Sequence, residues 1–120
     1  MREREYLLFE YIFIHVEVIE ERFHAIEKAD DFINTEQGKI LLDAIAMRLQ
    51  ALSENVKKIL KKNPDLEKQF PEADWNDIVR FRDLISHHYE MLNYQVVYSI
   101  CMIQIPVLKL VIQKILSQRS

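Results

Sequence analysis

An all-α fold follows from three features of this sequence. One glycine and three prolines occur in 120 residues, too few breakers for a fold built on many turns. Apolar side chains make up 49% of the chain and charged ones 29%, enough to fill a core and too apolar for disorder. The apolar residues recur three and four positions apart over long runs, the period of a helix with one buried face. The expected architecture is a single domain over residues 1–120, an up-and-down bundle of four to five helices with a kinked C-terminal helix.

The first helix is expected from Glu3 to Ala29, with Leu8, Ile12, Val16, Ile19, Phe23 and Ile26 at helical spacing. Its segment YIFIHVEV also alternates like a strand, but a run this long without Gly or Pro favours a helix. After the loop DDFIN, Asn34 is the expected N-cap, with Gln37 as its capping-box partner. The second helix then runs to Lys62, burying Leu41, Leu42, Ile45, Leu49, Leu52, Val56, Ile59 and Leu60, and Asn63-Pro64 stops it. A connector from Pro64 to Asp74 holds two of the three prolines. Asp74 is the expected cap of a third helix, with Asp77 adding charge at its positive end. A break near Leu92-Asn93 separates it from a fourth helix, Tyr94 to Gln118, which Pro106 should kink by removing a donor and crowding the preceding turn.

Composition narrows the functional classes. The one cysteine, Cys101, excludes an internal disulfide and sits among Ile100, Met102 and Ile103, a packing environment. Acidic residues stand where a secretory leader should be basic. The uncharged run from Met91 to Leu108 is interrupted by Asn93, Gln95, Ser99, Gln104 and Pro106, which argues against a membrane span. A soluble, cytoplasmic protein is expected. The net charge of −3 opposes general coating of nucleic acid. Lys57, Lys58, Lys61 and Lys62 form the one basic cluster, read either as a solvated face near a helix end or as an RNA-backbone contact.

The segment RDLISHHY, Arg82 to Tyr89, concentrates reactive chemistry. Arginine is a permanent cation whose planar fork suits phosphate oxygens. Histidine exchanges protons near neutral pH. Tyrosine offers a hydroxyl that can bind or be modified. These are the groups that metal-free phosphodiester cleavage needs. If the segment is one helix, Ile85, Tyr89 and Leu92 fall within about 40° of Ile78 and form one stripe, with Arg82 at its edge. His87 then falls on the opposite side, near Leu84 and Met91, about 140° from Arg82. Helix distortion, the reach of the arginine, or completion of the site across a dimer axis would bring the two together. The second apolar side favours the dimer axis. A plainer reading has both histidines as packing residues and Arg82 paired with Asp83 or Glu54. His15 and His24 are isolated and read as structural. No metal-ligand triad, Gly-rich phosphate loop or nucleophilic serine motif is present, so neither metal nor cofactor is expected.

At these residues the chain resembles the HepT-like proteins of the HEPN superfamily, small helical ribonuclease toxins. Their signature is an arginine, four residues, a histidine, any residue and a tyrosine, here Arg82, DLIS, His87, His88 and Tyr89. The resemblance extends to DWNDIVRFRDLISHHY, to AMRLQALSENVKKI with Ser53-Glu54 in place of a Gly-Glu pair, and to the proline-bearing VVYSICMIQIPVLKLVIQKI. It implies a homodimer with its cleft at the two-fold and metal-independent RNA cleavage. It also implies a toxin–antitoxin pair, with a minimal nucleotidyltransferase partner that transfers AMP to the motif tyrosine. Arg82 would then steady charge on the scissile phosphate, His87 would act as general acid or base, and Tyr89 would be the modification target or bind RNA. Asp83, by helical position, would orient His87, with His88 and Glu54 in supporting places.

Three positions depart from the pattern: Ser53 for glycine, Asn93 for an acidic residue, and EMLN without the glycine that often follows the motif. These changes and the acidic net charge support an alternative from a different class, a non-catalytic homodimeric module that docks a nucleotidyltransferase.

Overall fold

A computed structural model of the chain describes residues 1–87 and 91–119, with the backbone alone at His87. Helix α1 spans Glu3–Phe23 and a 3₁₀ turn Ala29–Phe32 follows it. Next come α2 (Glu36–Lys62) and three short helices, α3 (Leu66–Gln69), α4 (Trp75–Ile78) and α5 (Phe81–Ile85). Two-residue strands β1 (Ser86–His87) and β2 (Met91–Leu92) lead into α6 (Tyr94–Ser99), a π-helical turn (Ile100–Gln104) and α7 (Ile105–Ser117). The fold is an all-α bundle apart from that one small hairpin.

The long helices run up and down, as their side-chain partners show. His15 Nδ1 lies 3.2 Å from Arg48 Nη1, and further along α1 Arg22 donates to the Ala44 carbonyl at 3.5 Å. Partners descend along α2 as the chain ascends α1, so the two are antiparallel. Lys109 meets Glu20 at 2.7 Å, while Arg119 pairs with Glu10 and Glu3, which sets α7 antiparallel to α1 as well. Glu20 and the nearby Glu17 raise the Lys109 pKa by hydrogen bond and charge, against a smaller opposing effect of burial.

Between these helices lies one core. Phe9, Ile12, Val16 and Ile19 of α1 meet Ile45, Leu49, Leu52, Val56 and Ile59 of α2, with Leu108, Val111, Ile112 and Ile115 of α7 closing the third side. Each such side chain stabilises the fold by about 1.5–3 kcal/mol when fully buried, so burial dominates over the exposed ion pairs. Phe9 rather than Leu8 takes the first core position of α1, and α1 stops at Phe23 rather than Ala29. Cys101 is buried, in keeping with a packing role.

Three local expectations are corrected. The cap of α2 is Thr35, one residue beyond Asn34: its backbone is extended and its hydroxyl accepts from Gly38 N at 2.9 Å. The 3₁₀ turn fixes this register by pressing the Asp31 carbonyl against Gly38, where a Cβ would sit 1.9 Å from that oxygen. The connector after Pro64 is partly helical, since α3 buries Leu66, and Trp75 Nε1 donates to the Phe70 carbonyl at 2.7 Å. The third helix is the largest change, because it ends at Ile85, as set out below.

Asp74 caps α4 as expected, accepting from Asp77 N at 3.0 Å. The kink expected at Pro106 takes the form of a widened turn. Ile105 N–H bonds to Ile100 O five residues back, and Pro106, which has no donor, follows at the start of α7. From Tyr94 to Ser117 the helical run is long and apolar enough to cross a membrane by length and composition. Its inner side (Val97, Ile100, Ile105, Leu108) lies in the protein core, while Met102, Ile103 and Leu110 are exposed.

Two outcomes test this packing. Gly38→Ala should lower unfolding free energy by about 1–3 kcal/mol, seen as a lower urea midpoint at unchanged slope. A gain, as helix propensity alone would give, contradicts the tight approach to Asp31. His15 has a pKa below the usual 6.5, through burial first and the Arg48 charge second. The unfolded chain therefore takes up this proton at a higher pH than the folded one. The stability contributed here is complete above the unfolded pKa and is lost as pH falls through the folded one. His15→Gln should flatten the fall in stability between about pH 7 and pH 5, and an unaltered profile contradicts the pairing.

Candidate active site at the helix–hairpin junction

The motif segment is two structures joined end to end. Phe81 and Ile85 anchor α5 in the core, leaving Arg82 and Asp83 exposed on its other side. The helix stops because Ser86 turns extended, with φ −79° and ψ 128°. The Ser86 hydroxyl donates to the Arg82 carbonyl at 2.7 Å, satisfying one of the acceptors a helix end leaves open. Asn93 N donates to the Ile85 carbonyl at 2.6 Å. Between these bonds the chain doubles back as an antiparallel pair, Ser86 opposite Leu92 and His87 opposite Met91.

His87 therefore belongs to a strand, and the helical angle between it and Arg82 does not apply. The sequence expectation assumed one continuous helix. Serine and two histidines are only moderate helix formers, and local hydrogen bonding from Ser86 decides against extending the helix. The same break removes the helical basis for Asp83 orienting His87 from four residues away. What remains is a short covalent path: Arg82 on the last turn of α5 and His87 at the second residue of β1. The His87 side chain, His88 and Tyr89 lie outside the described residues.

Asn93 completes the junction. Its side-chain oxygen accepts from Val96 N at 3.2 Å and caps α6, while its own N–H closes α5. Two tyrosines then tie α6 to the 3₁₀ corner: Tyr94 hydroxyl to Asp30 Oδ1 at 3.3 Å and Tyr98 hydroxyl to the Glu27 carbonyl at 3.0 Å. Desolvation, followed by the Asp30 charge and hydrogen bond, raises the Tyr94 pKa, so that hydroxyl keeps its proton and donates. The sequence predicts a break near Leu92-Asn93 but neither of these two roles for Asn93. An Asn three residues before Val96 is the N-cap signal that could have revealed one of them.

The other expected site residues fall elsewhere. Glu54 is exposed on α2 and pairs with Lys57 of the same helix at 3.2 Å, and no ion pair between Glu54 and Arg82 occurs among the described residues. Its neighbour Ser53 is buried, with a hydroxyl lacking a hydrogen-bond partner among the described residues. Lys58, Lys61 and Lys62 are exposed near the end of α2. Among the described residues no three His, Cys, Asp or Glu side chains cluster as a metal site.

Comparison with known proteins now decides the family. A family profile described as Ribonuclease HepT-like matches residues 13–115, most of the chain. This protein belongs to the HepT-like ribonuclease family. "Putative RNase TTE0752" of Caldanaerobacter subterraneus subsp. tengcongensis is 28% identical over 117 residues, 98% of this chain and 96% of that one. "Putative RNase MJ0127" of Methanocaldococcus jannaschii is 26% identical over 77 residues, 64% of this chain and 59% of that one. The latter match thus covers little more than half of the archaeal protein. No solved structure gave a significant match.

Cys101 is not a nucleophile in this HepT-like fold. Burial pushes its thiol up to about 12, leaving almost no thiolate near neutral pH. Alkylation of the folded protein at about pH 8 should be far slower than in denaturant. Equal rates in both would show that the thiol is accessible.

Proposed function

We propose that this HepT-like protein is a metal-independent endoribonuclease, with RNA cleaved at the junction of α5 and β1. The observation that carries the reading is the exposure of Arg82 on the last helical turn, leading directly into the ladder that fixes the His87 backbone. An arginine there is free to approach a phosphate, and the strand gives the following histidine a fixed starting point.

The reaction is in-line attack by a ribose 2′-hydroxyl on the adjacent phosphorus. A base removes the 2′ proton, the 2′-oxygen–phosphorus bond forms, and the bond to the 5′-oxygen breaks as an acid protonates that leaving group. The products are a 2′,3′-cyclic phosphate and a 5′-hydroxyl end. His87 moves protons and Arg82 offsets charge on the phosphorane. A homodimer supplies two copies of His87 at one cleft, enough for both base and acid. The exposure of Met91 in β2, 63% of its surface, supports a second copy there. Family resemblance supports the finer roles: a cytoplasmic toxin held in check by a minimal nucleotidyltransferase, with Tyr89 the acceptor of AMP. Asp83, His88 and Glu54 keep supporting places in this reading, with Glu54 also paired to Lys57 on α2.

The test is cleavage of single-stranded RNA in the presence of EDTA. Arg82→Ala and His87→Ala should each reduce the rate by about 10²-fold or more, the scale of a lost charge stabiliser or proton donor. Cleaved ends should carry cyclic phosphate. Unchanged cleavage by the double variant, or 3′-hydroxyl ends, contradicts the mechanism. An inert wild type that still binds the transferase supports the docking module instead.

A further inference from the structure

We infer that Asn93 is a positioning residue for RNA cleavage, setting the register of the hairpin that carries His87. The inference rests on the ribonuclease reading above, but its geometric half stands on observed bonds alone. Asn93 occupies the one point where the end of α5, the return strand β2 and the start of α6 meet. Its N–H holds the Ile85 carbonyl at 2.6 Å, continuing the pairing after Ser86–Leu92 and His87–Met91. Its side chain holds Val96 N at 3.2 Å, fixing where α6 begins. A two-residue ladder has little stability of its own, so the register of Ser86–His87 against Met91–Leu92 depends on what clamps its base. On one side the Ser86 hydroxyl locks the turn bearing Arg82. On the other, α6 is bound to the 3₁₀ corner by Tyr94 and Tyr98. Asn93 is the link between these two fixed bodies. Loss of its cap lets α6 start elsewhere and releases β2 from its register against β1. The pairing with Met91 that fixes the His87 backbone is then lost.

A cap needs a short side chain with an acceptor oxygen, which aspartate and serine also have and alanine lacks. Asn93→Ala should therefore lower kcat by about tenfold to a hundredfold, the scale expected for a misplacement of roughly 1 Å, with KM within about twofold. Asn93→Asp and Asn93→Ser should restore kcat. Thr35→Ala is the matched control: it removes the α2 cap, whose hydroxyl accepts from Gly38 N at 2.9 Å, at a similar stability cost of about 1 kcal/mol, and should leave kcat unchanged. Amide exchange at position 93 should accelerate in Asn93→Ala and recover in Asn93→Asp, whether or not RNA is present. Three results overturn the assignment: Asn93→Ala with normal kcat, Asn93→Asp as impaired as alanine, or a protected amide at position 93 in the alanine variant. Inactive wild-type protein would sink the ribonuclease reading, and amide exchange would still decide the role of Asn93.

Discussion

The bond from Asn93 N–H to the Ile85 carbonyl determines how this protein presents its motif. A helix end leaves four carbonyls without partners, and here two of the needed donors come from the segment that bears the candidate chemistry. Ser86 serves the Arg82 carbonyl and Asn93 serves that of Ile85. Because both donors are local, the chain leaves the helical path immediately after Ile85 and returns within a few residues. Arg82 remains on α5 while His87 is delivered on a strand. The rest of the bundle supports this corner: α5 is pinned in the core by Phe81 and Ile85, and α6 is tied back by two tyrosines.

Most of the scaffold was legible in the sequence because burial leaves a period. Val16, Ile19, Leu49, Leu52, Val56 and Ile59 announce their helices, and each is fully buried. Asp74 was readable as a cap because a short acceptor there precedes an apolar turn. Thr35 was not: Asn34 is an equally good capping residue, and the choice depends on the carbonyl of Asp31 pressing on Gly38, a tertiary contact that no local pattern encodes. Pro106 signalled a disturbance, but not that a π-helical turn would absorb it.

The candidate residues are conspicuous in the sequence, whereas the backbone that carries them is not. Arg82 and His87 stand out by chemical type, and the family profile covers both. Periodicity, however, ran through the hairpin without a mark: Ile78, Ile85 and Leu92 keep helical spacing although the last of them lies in a strand. A hydrophobic repeat reports which side chains face inward, and a strand can place Leu92 against the core too. The deciding contacts are single hydrogen bonds from the Ser86 hydroxyl, a side chain that competes with helices over short distances, and from the backbone N–H of Asn93. The pairing of Glu54 with Lys57 was likewise a matter of one i,i+3 geometry rather than of pattern.

The central claim is that a guanidinium from α5 and an imidazole from β1 meet on one phosphate between two copies of the chain. A crystal structure bound to a short RNA carrying a 2′-O-methyl group at the cleavage position would test this most directly. The account predicts a two-fold dimer with Arg82 and His87 both within hydrogen-bonding distance of the scissile phosphate, from one or both protomers. RNA bound on another face of a monomer, with the two side chains directed away from each other, would contradict it.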